Sequence, residues 1–150
     1  MSAYRYTECG LDNVVIDGIS FVADDSGERV VSIPNVNGLH KAIALGIVSR
    51  KHGMSGRELR FLRTEMGMTQ AELADMIHRE SLTISRWERN ENPIDTNAET
   101  LIRVHAIEVL ALPVDAGVKE LSGWAIPSAV EQPINIDGSD PDNYRPKLAA

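Results

Sequence analysis

Between Tyr4 and Ile33 short apolar runs separated by turn residues predict a small β-meander. Tyr4 and Tyr6 alternate with Arg5 and Thr7, which predicts an edge strand. Val14-Val15-Ile16, then Asp17-Gly18, then Ile19-Ser20-Phe21-Val22 predict a hairpin with a two-residue turn. Asp24-Asp25-Ser26-Gly27 reads as the next turn and Arg29-Val30-Val31-Ser32-Ile33 as the next strand. So small an antiparallel meander needs a cover, because a few short strands are not stable alone. Leu39, Ala42, Ile43 and Ile47 recur at helical spacing from Gly38, and Lys51, His52 and Gly53 form a stop. This helix is expected to cover the sheet; use of part of its apolar face by a partner is the alternative.

The period stays helical beyond this point. Ser55 with Glu58 forms a capping box, and Leu59, Leu62 and Met66 form an inner stripe. Arg63 lies on that stripe, where a charge needs a partner. Thr69 with Glu72 caps another helix carrying Leu73, Ala74 and Ile77 inward. After a break at His78-Arg79-Glu80, a short helix turns Ile84 and Trp87 inward and Ser81, Leu82, Ser85 and Arg86 outward. Two short helices at a fixed angle, the second with a polar outer face, fit a major groove. Past Glu91-Asn92-Pro93, Thr96 with Glu99 reads as a third capping box, and Leu101, Val104 and Ile107 as an apolar face running to Leu112. From Pro113 the periodicity stops, Gly, Pro, Asp and Ser become frequent, and Trp124, Ile126 and Ile134 stand isolated. The expected fold is α+β in three parts. Residues 1–53 form a β-rich unit with its helix, 54–112 an all-α helix-turn-helix bundle, and 113–150 an extended, partly disordered tail ordered only where Trp124 or a neighbour docks.

The run Met68-Thr69-Gln70-Ala71-Glu72-Leu73-Ala74, together with Thr83-Ile84-Ser85-Arg86-Trp87-Glu88, resembles the Xre-type (Cro and phage-repressor) helix-turn-helix family. The resemblance covers Arg57 to Pro93 and implies a lambda-repressor-like bundle that binds double-stranded DNA as a homodimer. It implies a phosphate clamp at Gln70, where a helix N-terminus favours phosphate. It implies base reading by Ser81, Leu82, Ser85 and Arg86, with Thr83 of the same run counted among them. Leu82 departs from the polar residue common there: it either touches a thymine methyl or is a neutral surface position. Arg79 and Arg89 are implied as backbone contacts, the alternative for any exposed arginine being a solvated charge. The resemblance also implies a buried Arg63–Glu88 ion pair; the alternative is that Arg63 snorkels to water. His78 stands where the family usually has glycine, at a turn that often needs positive φ. The helix closing the bundle, or the segment after it, often contributes dimer contacts in that family. The order of the parts is also similar to MqsA-like antitoxins, whose N-terminal unit binds zinc through paired cysteines. Here only Cys9-Gly10 remains near Tyr6, so no metal is expected.

Composition sharpens this picture in a few places. A net charge of -7 excludes a general polycation and leaves DNA binding to a local basic face. Strong salt dependence is therefore expected. A single cysteine excludes an internal disulfide framework. No stretch approaches a membrane span and no signal peptide is visible, so the chain reads as cytoplasmic. His40, His52, His78 and His105 lack ligand spacing, and neither a phosphate-cradling glycine loop nor a catalytic set is found. The expected function is a sequence-specific DNA-binding transcriptional regulator, a repressor acting as a dimer on a palindromic operator, without enzyme activity or cofactor. The alternative is the antitoxin of a type II pair, binding a toxin protein and autoregulating its operon.

Overall fold

The computed structural model describes residues 3–23, 25–126 and 132–147. The fold is α+β, and the chain forms two compact units: Met1–Gly46 with Gln132–Ala150, and Ile47–Glu131.

The first unit is built on β1 (Tyr4–Arg5), β2 (Val14–Asp17), β3 (Ser20–Ala23), β4 (Arg29–Ser32), β5 (Ile134–Asp137) and β6 (Arg145–Pro146). The larger sheet runs β1-β2-β5-β6; β2 pairs antiparallel with β1 and parallel with β5, and β6 pairs antiparallel with β5. Val14 stands beside Ile134 and Ile16 beside Ile136, all four buried, so one face of the central strands is apolar. Helix α1 (Val36–Val48) lies over β5 and β6 at Gly46, where an added Cβ would stand 3.1 Å from the Ile134 side chain. Tyr6 and His40 share a hydrogen bond of 2.9 Å, and the Tyr144 hydroxyl donates to the Pro34 carbonyl at 2.6 Å.

This arrangement corrects the expected meander. The β2–β3 hairpin does not form: β3 pairs with β4 in a separate two-stranded sheet, and β2 takes β5 as its neighbour. Alternation reports which face is buried and is silent on the partner strand. Ile134-Asn135-Ile136-Asp137 has the same alternation as β2, so the supposed tail closes the sheet. Asp24 of the expected turn lies outside the described residues, as do 127–131 and 148–150 of the tail.

The second unit contains α2 (Gly56–Glu65), α3 (Gln70–Met76), α4 (Ser81–Glu88), α5 (Thr96–Val109) and α6 (Val118–Trp124). Capping boxes open α2 at Ser55–Glu58 and α3 at Thr69–Glu72. The third expected box is absent: Asp95 caps α5 by accepting from the Ala98 N–H at 3.0 Å, and Glu99 is turned inward. The expected inner stripe of α5 is displaced as well. Leu101 is 51% exposed, whereas Ala98, Ile102, Arg103 and Ala106 are buried. Both sets repeat at helical spacing, and a long arginine at position 103 disguised the buried one. The chain after Leu112 belongs to this unit as far as α6, where Leu121 and Ala125 are buried. The division thus differs from the expected boundaries at 53 and 112: Gln132–Ala150 joins the first unit, and the second runs without a break from Ile47 past α6.

Helices α2 to α5 end alike. Gly67, His78, Asn90 and Ala111 each take positive φ directly after the helix cap. The next residue returns its N–H to a carbonyl five residues back: Met68 to Arg63, Arg79 to Ala74, Glu91 to Arg86 and Leu112 to Ile107. This satisfies carbonyls that a helix end leaves open.

Candidate nucleic-acid interface

Helices α3 and α4 are joined by a tight turn. His78 sits at φ +58° in that turn, a conformation costly for a side chain with a Cβ. Ile84 and Trp87 point inward from α4 and are buried. At the far end of α4, Glu88 meets Arg63 of α2 in a two-pronged ion pair. Arg63 Nε donates to Oε2 at 2.6 Å and Nη2 to Oε1 at 2.9 Å, and Nη1 donates to the Met68 carbonyl at 2.9 Å. The side chains are 13% and 4% exposed, so Arg63 does not snorkel. The hydrogen-bonded Glu88 carboxylate holds the Arg63 guanidinium above its usual pKa.

Gln70 joins this cluster. Its Nε2–H donates to Glu88 Oε1 at 3.0 Å, so the implied phosphate clamp is engaged within the protein. The signal was spatial, because positions 70 and 88 have no sequence relation that predicts contact. One carboxylate thereby ties α2, α3 and α4 together, which fixes how α4 is presented.

The remaining candidates lie outward on or beside α4. Ser81, Leu82 and Arg86 are exposed, while Thr83 and Ser85 are half-buried. Ser81, Ser85 and Arg89 succeed one another at four-residue spacing, as do Leu82 and Arg86, and together they make one stripe. Arg79 is exposed and pairs with Asp95 at 3.2 Å. Arg89 donates from Nη1 to Ser85 Oγ at 2.8 Å and from Nε to the Glu91 carboxylate. The Arg86 side chain has neither an ion pair nor a hydrogen bond with the described residues, which sets it apart from those of Arg63, Arg79 and Arg89.

The surroundings are not uniformly basic: Glu72, Asp75 and Glu80 are exposed on the same two-helix unit. Hydrogen bonds with the backbone and side chain of Thr69 hold the Glu72 carboxyl below its usual pKa, so it is ionised at neutral pH. Among the described residues no three His, Cys, Asp or Glu side chains are grouped to hold a metal, and no helix is long and apolar enough to cross a membrane. No protein-family model, curated protein or solved structure matches the chain.

Proposed function

We propose that the protein is a sequence-specific DNA-binding transcriptional regulator that uses α4 as its recognition helix. The reading places it in the cytoplasm as an Xre-like repressor and assigns it neither catalysis nor a cofactor. One observation carries it. Helix α4 is locked on its inner side by Ile84, Trp87 and the Arg63–Glu88 pair, and presents an outward stripe in which Arg86 is unpaired. A rigid helix with an uncommitted guanidinium suits a major groove, where guanine offers two adjacent acceptors. A homodimer would set two such helices about 34 Å apart on a palindrome. Arg79 and Arg89, already paired with carboxylates, serve as backbone contacts only by exchanging those partners for phosphate. Each phosphate neutralised in this way releases counterions, so affinity falls with salt.

The test is selection of bound sites from random duplex DNA, followed by titration and light scattering. Enrichment of a palindrome bound by two chains is expected, with Arg86→Ala losing about 1–3 kcal/mol of specific affinity at unchanged stability. Absence of any enriched sequence, with equal affinity for wild type and Arg86→Ala, would overturn it. A second reading, the antitoxin of a type II pair, is favoured by one observation: the first unit is a compact body that holds none of the α4 stripe. It expects a stable complex with a small basic protein encoded beside this chain, and isolation of that complex would establish it.

A further inference from the structure

Few outward groups on α4 are uncommitted. Arg89 is bound to Ser85 and Glu91, and half-buried Ser85 accepts one of those bonds at its hydroxyl oxygen. Gln70 is turned to Glu88. Among the exposed side chains of α4, Ser81, Leu82 and Arg86 are left. Leu82 is 50% exposed, an apolar side chain in a stripe whose other members are polar. Arg86 lies four residues later on the same side, one helical turn on.

This pair has the chemistry of two different bases. In the major groove only thymine presents a methyl group, and guanine presents adjacent O6 and N7 acceptors that match a guanidinium fork. Four residues advance a helix by about 6 Å. Bases on one strand are about 3.4 Å apart along the duplex. The two side chains therefore span about two base-pair steps. Resting on the reading of α4 as the recognition helix, we propose that each half-site contains a T·A pair and a G·C pair one or two steps apart. Leu82 packs on the thymine methyl and Arg86 forks onto the guanine. The juxtaposition of an exposed leucine and an unpaired arginine at one-turn spacing is the specificity device of this chain.

The test begins with a site selected from random duplexes by the full chain. Each thymine is then replaced by deoxyuridine, which lacks the methyl, and each guanine by 7-deazaguanine, which lacks N7. Binding is titrated with wild type, Leu82→Ala and Arg86→Ala, and thermal melts check that each is folded. One deoxyuridine in a single half-site should weaken the wild type roughly fourfold, the equivalent of one buried methyl, and leave Leu82→Ala unchanged. A 7-deazaguanine one or two steps away should weaken the wild type and leave Arg86→Ala unchanged. Equal losses in wild type and Leu82→Ala at every thymine, or coupled positions more than two steps apart, overturn this inference while leaving DNA reading intact. If no site is enriched, the reading of α4 itself fails, and the inference falls with it.

Discussion

Arg63 and Arg103 both belong to the second unit, both lie on the inner side of a helix, and each meets a glutamate. They are held in different ways. Arg63 reaches from α2 to Glu88 on α4, so its pair joins two elements. Arg103 meets Glu99 on its own helix, one turn earlier, at 2.9 and 3.1 Å. The rest of its guanidinium donates to the carbonyls of Val48, Arg50 and His52 at 3.1, 2.7 and 2.6 Å, where α1 ends. Those carbonyls lack helical partners, and a cation at a helix C-terminus is favourable. Arg103 is 0% exposed; burial pushes its guanidinium down and the Glu99 carboxyl up. For Arg63 the attraction of Glu88 outweighs burial. A pair between helices thus sets an orientation, whereas a fork onto carbonyls replaces backbone partners that nothing else supplies.

Substitution of Arg103 should have the largest effect. Arg103→Ala leaves a buried carboxylate and three carbonyls without this donor, a loss of about 3–5 kcal/mol. Urea denaturation measures it, and a loss under about 1 kcal/mol, the range of a surface pair, would break the contrast. Arg63→Ala should cost about 3 kcal/mol, at the lower end of the range for a buried pair, because Gln70 still donates to Glu88. A double-mutant cycle with Gln70→Ala should show coupling, since both side chains share the Oε1 of Glu88. Additivity there would mean that Gln70 is independent of the pair.

The helix ends offer a smaller effect of opposite sign. Ala111, at the end of the Arg103 helix, adopts φ +52°, and His78, in the turn before α4, adopts φ +58°. Ala111→Gly should raise stability by about 0.5–1 kcal/mol, because glycine takes this conformation without a Cβ clash. His78→Gly should act in the same direction, and a lowered melting temperature in both would show that the ends are not strained.

The smallest effect separates two carboxylates by the sign of their pH dependence. The folded-state pKa of Glu99 is raised, chiefly by burial, so its contribution to stability is present below the unfolded carboxyl range and lost as pH rises through the folded value. Glu72, exposed and held by the Thr69 cap, has a lowered pKa. Its contribution is present above that range and lost as pH falls through the folded value. The stability difference between wild type and Glu99→Gln should therefore shrink on raising pH, and that for Glu72→Gln should grow. Denaturation curves across the acid range decide this, and slopes of equal sign would remove the distinction.

Local chemistry alone determined a good part of this protein. The Ser55–Glu58 and Thr69–Glu72 caps, the break at His78, the inward Ile84 and Trp87 and the outward Arg86 come from spacing within one or two helical turns. Contacts so close in sequence are written in the order of the residues. The Arg63–Glu88 partnership, 25 residues apart, was legible only through resemblance to a motif. Tertiary structure decided the rest. Strand β2 could satisfy its alternation beside any strand of matching pattern, and it took β5, more than a hundred residues away, because that pairing buries Ile134 and Ile136 beside Val14 and Ile16. Helix α5 carried two candidate inner faces, and the one bearing Arg103 was chosen because open carbonyls awaited its guanidinium. Gln70 likewise turned to Glu88 because three helices converge there. Periodicity states that a surface will be buried; the partner that buries it is a property of the assembled core.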